Sequence, residues 1–515
     1  VGRLSRREGQ LVKKLFCLLL GLAAIFLYWR SLFSFFPVPW PDDSAFFLVG
    51  QEWLRSPYLY RMHSQAAWIS SYDLANFNTM PLLPLICGLF EKAGAGIHGL
   101  RLLGTTFLAL WIGTLAFWLK RSKAPLWLSI LTVLAAISSP VLRWAALVTR
   151  PEIGEGFVLF LILMKVGAEQ LHSTKDRYGF RNQWIFAAVL AFSAYLHFEA
   201  VIWLPAFMVG SLPWEEKEIS VSKRLSMWMV FLLQTAAKTL LLLSPWVLYL
   251  ILHFDLFREQ MFTQFQRMAG KHLFFDSAYT FFHSFFIGTG NPADYPKYFN
   301  TAKVLTFVMM VMAVVAQILR ALRSRQGRAL EFASVVAFLC TVVLWVRKDE
   351  FWFIGLIHLS FWALWAALCF KGLTRRKQVL AGVLLSVIAF VQFAVSIQTY
   401  REAEKRVTWD AYESWVDCIE KEIGTKQVVW QPNWPDVLVE LASRQPQKEY
   451  YRAIDFPGVE EKIRASRDRF EAVIHSQWIL VPEWDAHYQG DPRPNDTYFL
   501  TDYPWILFRK FSWIK

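Results

Sequence analysis

Eleven long apolar runs, at 15–36, 102–119, 125–142, 153–170, 184–196, 200–213, 225–252, 303–319, 332–346, 351–370 and 378–397, constrain this chain more than any other feature. A helix needs about 20 apolar residues to cross a bilayer, within a range of about 17–25. Most of the runs meet that requirement, while 184–196 and 200–213 fall short and read as a tight pair. Composition agrees: 55% of the 515 residues are hydrophobic and only 18% charged, where soluble domains carry about 25% charge. The 25 tryptophans suit a protein with two bilayer interfaces. The fold class read from the sequence is therefore mainly α, a polytopic membrane bundle.

Charge sets the expected orientation. With the N-terminus inside, the short connecting segments on that side hold 22 Lys/Arg in 61 residues, against 12 in 132 on the opposite side before residue 398. This asymmetry satisfies the positive-inside rule. The apolar stretch 81–97, interrupted by Glu91 and Lys92, then reads as an interfacial helix, because one more crossing would invert every later loop. The run at 15–36 follows Arg3, Arg6, Arg7, Lys13 and Lys14 but lacks a small-residue cleavage site, so it is expected to be a retained helix rather than a signal peptide.

The net charge of +13 is not a nucleic-acid signature. Residues 398–515 carry a net charge of −4, so the basic excess lies in the membrane body, as anchors beside anionic lipid. Cys17, Cys87, Cys340, Cys369 and Cys418 show no paired spacing, and no zinc site can be read from them. The chain divides into a body, 1–397, with outer loops 37–101 and 253–302, and an extracytoplasmic α/β segment, 398–515. In the latter, 427–432, 449–454, 471–481 and 505–513 read as strands, and 434–443 and 459–470 as helices. It has no Gly-rich phosphate loop.

The first outer loop opens with Pro-Val-Pro-Trp-Pro-Asp-Asp, and 44–55 then reads as helical. Two adjacent carboxylates, Asp42 and Asp43, repel one another, so one holds its proton more tightly; such a pair suits a general base or a cation site. The pair also suits a helix cap, in which a carboxylate accepts backbone N–H bonds ahead of a helix starting near Ser44. Both readings stand on these residues alone. Arg347-Lys348-Asp349-Glu350 at a helix junction reads as headgroup anchors or as phosphate ligands. His197 and Glu199 mark a turn between short spans or an acceptor contact. Lys238 falls inside a span, where a charged residue is costly and a functional candidate. His253 and His283 read as packing residues.

Order adds to these signals. A basic N-terminus, a span, Asp42-Asp43, a half-helical loop, Asn78-Thr79-Met80-Pro81-Leu82-Leu83-Pro84-Leu85, and Arg101-Leu102-Leu103-Gly104 running to Lys120-Arg121 follow one another. Arg150-Pro151-Glu152, Pro245-Trp246 and Gln264-Phe265-Gln266-Arg267 come after. This series resembles the C superfamily of membrane glycosyltransferases, in the bacterial branch of lipid A aminoarabinose transferases, related to protein O-mannosyltransferases.

That resemblance implies an inverting transferase that takes a sugar from a polyprenyl-phosphate carrier and passes it to a lipid, glycan or protein acceptor at the outer face of the plasma membrane. By matching position, Asp42 is the candidate base and Asp43 the second acid. Arg267 matches a phosphate-facing arginine and Arg150 a position near the outer face. Arg347 and Lys348 are further candidate phosphate ligands. Relatives have Lys-Pro-Pro-Leu where this chain has Thr79-Met80-Pro81-Leu82, so the phosphate-binding lysine is missing. Arg61 and His63 are candidates to replace it. No organic cofactor is implied, and the residues neither require nor exclude a divalent metal. The rival class is a transporter or flippase, which calls for polar residues deep in several helices or for inverted repeats, and no repeat is visible. A third reading is an inactive scaffold whose tail binds a partner.

Overall fold

The structure is a computed structural model. It describes residues 41–55, 77, 79–122, 124–148, 150–169, 178–213, 220–269, 299–323, 328–348, 353–370, 373–404, 409–424, 428–431, 437–445, 448, 451–452, 472–478, 496–500 and 506–512. The run at 15–36, Arg61, His63, His283 and the helix expected at 459–470 lie outside the described residues.

The body is helical. The first described helices are α1 (Pro41–Arg55) and α2 (Leu82–Lys92). They are followed by α3 (Gly96–Arg121), α4 (Leu126–Ile137), α5 (Pro140–Leu147) and α6 (Glu152–Glu169). Next come α7 (Phe180–Leu196), a 3-10 turn (Phe198–Trp203), α8 (Leu204–Ser211), α9 (Val221–Leu242), α10 (Ser244–Leu252) and α11 (Phe254–Ala269). The body ends with α12 (Phe299–Arg323), α13 (Arg328–Lys348), α14 (Phe353–Phe370) and α15 (Arg375–Glu404).

Prolines divide three runs that read as continuous in the sequence. Pro140 opens α5, so 125–142 becomes two helices. Pro245 stands in the first turn of α10 and ends α9 at Leu242, and Pro205 does the same between the 3-10 turn and α8. A proline lacks the N–H that a continuing helix needs but fits a first turn, where that N–H would have no partner.

Among the described helices, Gly96–Arg121, Val221–Leu242, Thr306–Arg323 and Arg375–Ala394 are long and apolar enough to cross a bilayer. Much of their apolar surface is left exposed by the fold. On α9 only Phe231 and Thr235 are buried, while Leu225, Met229, Leu233, Leu240 and Leu241 are exposed, and Phe390 of α15 is 75% exposed. Water would penalise such a surface and lipid does not, so packing relies on close approach of small residues. At the crossing of α3 and α5, a Cβ on Gly104 would lie 1.9 Å from the Ala146 carbonyl oxygen, a position only glycine can occupy. The interior is filled by rings, with Trp111 edge-on to Phe160 at 5.4 Å.

After α15 come α16 (Trp409–Ile423), β1 (Val428–Gln431), α17 (Leu438–Arg444), β2 (Tyr451–Arg452), β3 (Ala472–Trp478), β4 (Asp496–Leu500) and β5 (Ile506–Ser512). The strands form one sheet in the order β2-β1-β3-β5-β4. β1 is parallel to both β2 and β3, while β3–β5 and β5–β4 are antiparallel. β4 and α16 had no counterpart in the sequence reading.

Candidate functional site

α1 begins three residues earlier than the periodicity indicates. Pro41 is its first residue, so Asp42 and Asp43 lie within the first turn and neither is the N-cap. The capping expectation is corrected to this extent. Carboxylates in a first turn are favoured by the positive end of the helix dipole, and proline is preorganised for that position. The remainder of α1 is buried at Phe46, Phe47, Leu48 and Val49, and also at the polar Gln51 and Glu52.

Two contacts fix α1 in place. It crosses α2 at Gly50 and Gly88, where a Cβ on Gly88 would lie 2.5 Å from the Gly50 carbonyl oxygen. Val49 then packs against Trp53 and against Trp246 and Tyr249 of α10. The same two rings receive Phe77, at centroid distances of 5.8 and 5.3 Å, and Phe257 of α11 meets Phe77 edge-on at 5.5 Å. The Phe77 backbone N–H donates to Gln260 Oε1 at 2.9 Å, and Gln260 is only 1% exposed. Helices α1, α10 and α11 and Phe77 are therefore one assembly, joined by an aromatic cluster and a buried hydrogen bond.

That assembly carries several of the residues singled out in the sequence. Arg267 lies on α11, seven residues past Gln260, about two turns or roughly 10 Å of helical rise. Thr79 and Met80, at the place of the missing lysine motif, are buried beside this junction. Arg347 and Lys348 close the last turn of α13, where the negative end of the helix dipole favours cations.

A second polar group lies at the start of α6. Arg150 Nη2 is 2.8 Å from Glu152 Oε1 and its Nε is 3.2 Å from Oε2, a bidentate pair that occupies the planar fork. One turn further, buried Glu155 accepts from Ser193 Oγ at 2.5 Å and from Trp203 Nε1 at 2.7 Å, both at Oε2. Its Oε1 has no hydrogen-bond partner among the described residues. His197 ends α7 and begins the 3-10 turn; its Nδ1 accepts from the Glu199 backbone N–H at 3.3 Å and lies 3.4 Å from Glu199 Oε2. The turn reading of His197 and Glu199 thus has a direct geometric basis. Glu155 escaped the sequence reading, which weighed only basic residues inside apolar runs. A carboxylate there is as costly as a lysine, and that was the signal available.

Lys238, the intramembrane candidate, lies on α9. Its ammonium is 2.6 Å from Gln183 Oε1, 5.1 Å from the Phe180 ring centroid and 5.8 Å from that of Trp184. It reaches to the first turn of α7, the pattern of a lysine whose stem crosses apolar surface to a polar end.

Helices α16 and α17 of the C-terminal segment contact the start of α3. Glu440 of α17 accepts from the Ile97 N–H at 3.1 Å, placing an anion at the N-terminus of α3. Trp409 of α16 lies 4.6 Å from His98 and 4.9 Å from the Arg101 guanidinium, both in the first turns of α3. Arg444 pairs with Asp417 and Glu420 and ties α17 to α16.

The fold is shared, at low sequence identity, with solved membrane-protein structures. Two solved structures of ArnT from Cupriavidus metallidurans, one bound to undecaprenyl phosphate and one apo, align with the chain at TM-scores of 0.56 and 0.58. Each is 12% identical and covered over 98% and 97% of its length, with 96% of this chain included. The apo oligosaccharyltransferase of Archaeoglobus fulgidus aligns at a TM-score of 0.56 and 11% identity, over 91% of this chain and 69% of that one. No family model and no curated protein matches the chain.

Proposed function

We propose that this protein is an inverting glycosyltransferase that moves a sugar from a polyprenyl-phosphate carrier to an acceptor at the outer face of the membrane. The observation that carries the reading is the joining of α1 to α10 and α11. The Gly50–Gly88 crossing, the Phe77 cluster and the Phe77–Gln260 hydrogen bond hold the helix of Asp42 and Asp43 in one assembly with the helix of Arg267. End-to-end similarity of fold to ArnT, solved with undecaprenyl phosphate bound, supports a lipid-phosphate donor.

In this reading Asp42 takes the proton from the acceptor hydroxyl as its oxygen attacks the anomeric carbon. The carbon–oxygen bond to the carrier phosphate breaks, and the polyprenyl phosphate leaves with the bonding pair. Asp43 is the second acid of the pair. Arg267, with Arg347 and Lys348, holds the charge that develops on the phosphate, and Arg61 is a further cation of the first loop. Arg150, whose fork is filled by Glu152, contributes by fixing that carboxylate. A divalent ion at the acidic pair is compatible with this scheme and is not needed for its proton balance.

The orientation consistent with this chemistry has eleven spans, the N-terminus inside, and residues 398–515 outside as an α/β unit that positions the acceptor. Its seat on α3 and beside α1 supports that role. Profiling of lipid-linked sugars in a deletion strain tests the function. A polyprenyl-phosphate sugar should accumulate and one envelope glycan should disappear, whereas unchanged pools of both contradict the proposal.

A further inference from the structure

Helices α12, α14 and α15 leave a groove of about 580 Å³ between them. Its wall is apolar along most of its length, with Met309, Ala316 and Leu384 among the lining residues, and changes at one end to Arg320, Arg323 and Lys377. Leu319 and Leu380 at its edge are exposed, which sets the mouth against hydrocarbon. From Met309 to Arg320 the helix rises roughly 16 Å. That is about one leaflet of a hydrocarbon core about 30 Å thick.

The three cations are not equivalent. Arg320 is engaged inside the protein, donating to the Leu368 carbonyl and lying 3.8 Å from Glu331, which is buried. Arg323 and Lys377 are exposed at the rim. Lys377 shares the first turn of α15 with Arg375 and Arg376, and that turn holds no acidic residue. Three cations at the positive end of a helix dipole repel it and one another, a cost that a shared anion offsets. An apolar trough one leaflet long that ends in exposed cations fits a lipid whose headgroup carries net negative charge.

We propose that this groove binds one anionic phospholipid, with its phosphate on Arg323 and Lys377 and an acyl chain along Met309, Ala316 and Leu384. The site is separate from the donor site. α12 and α13 are joined by the short segment 324–327, so Arg323 shares a membrane face with Arg328, and Arg347 and Lys348 lie at the far end of α13. The proposal requires only that the chain sit in a membrane, and it stands or falls independently of the transfer reaction.

The test uses the full-length protein in mild detergent, with thermal-shift titration of phosphatidylglycerol, phosphatidylcholine and inorganic phosphate. Phosphatidylglycerol should raise the melting temperature saturably, and the other two should not. Each basic residue near an anionic headgroup is worth about 5-fold in affinity, so the Arg323→Ala, Lys377→Ala double variant should bind about 30-fold more weakly. Ala316→Trp, which fills the trough, should abolish the shift while the double variant reports on charge alone. Equal effects of the two phospholipids, or parental affinity in the double variant, would overturn the proposal. So would a shift of the same size from inorganic phosphate, which would show an anion site without a lipid.

Discussion

Gly50 and Gly88 meet with no room for a side chain between them: a Cβ on Gly50 would lie 1.9 Å from the Pro84 carbonyl oxygen and 2.7 Å from the Gly88 nitrogen. Both neighbours are backbone and cannot rotate away. Gly50→Ala therefore has to push α1 off α2, at the typical overpacking cost of about 1–3 kcal/mol. We expect a lower melting temperature and a loss of transfer, because α1 carries Asp42 and Asp43. Gly113→Ala, where a Cβ meets open space, is the control and should leave both quantities unchanged. Equal behaviour of the two variants would show that the crossing does not position the site.

Gln260 joins the second loop to the first through the Phe77 N–H. Gln260→Leu leaves that buried donor without its acceptor, at a cost of about 1–3 kcal/mol. Gln260→Met keeps the length of the side chain but likewise lacks an acceptor oxygen, and should lose a similar amount of stability. Thermal unfolding of the two variants separates the lost hydrogen bond from lost volume, and a Leu variant as stable as the parent would assign the junction to the aromatic cluster alone.

Glu155 accepts from both Ser193 Oγ and Trp203 Nε1 at one carboxylate oxygen. Glu155→Leu orphans both and should destabilise the protein by about 1–3 kcal/mol for each donor. Glu155→Gln preserves a carbonyl oxygen and should fold normally. If it folds yet transfers poorly, the unpartnered Oε1 serves the reaction. If it is fully active, Glu155 is a packing element. Melting temperature and turnover measured on the same preparations distinguish these outcomes.

The C-terminal segment is held to α3 by few groups, and Trp409 is central because it meets both His98 and Arg101. A cation–π contact contributes about 0.5–2 kcal/mol, depending on desolvation. Trp409→Ala should loosen the segment and speed proteolytic cleavage between residues 398 and 409, while the body melts as before. Unchanged cleavage would place the docking energy elsewhere, with Glu440 the next candidate.

Much of the helical body was legible because lipid demands long apolar runs, and these are visible without any contact information. Helices α3, α12, α13 and α15 contain the runs and extend past them, by six residues at the start of α3 and seven at the end of α15. The divisions at Pro140, Pro205 and Pro245 were also written in the sequence, but hydropathy averages over a proline and conceals the break. The start of α1 at Pro41, three residues ahead of the periodicity, is hidden because Asp-Asp reads equally as a cap and as a first turn. Strands 428–431 and 472–478 fall within the runs expected at 427–432 and 471–481. β4 was missed because Asp496-Thr497-Tyr498-Phe499-Leu500 is too short to show alternation on its own. The joining of the loops by Phe77 and Gln260, 183 residues apart, is tertiary and leaves no local pattern. Glu155 was missed for a different reason, since acids in spans received less weight than bases.

The central claim rests on Asp42, and the most direct measurement is the turnover of Asp42→Asn in membranes with a polyprenyl-phosphate sugar as donor. Loss of general-base help costs about 10²–10⁴-fold in rate, or roughly 3–5 kcal/mol of barrier. Asp42→Asn should nearly abolish transfer while expression and donor binding persist. Arg267→Ala should instead weaken donor binding through loss of charge-assisted hydrogen bonds, and Asp43→Asn should be the milder acidic-pair variant. Turnover in Asp42→Asn above about a tenth of the parent, far short of the expected general-base loss, would contradict the account and leave Asp42 as a first-turn helix residue with the base elsewhere.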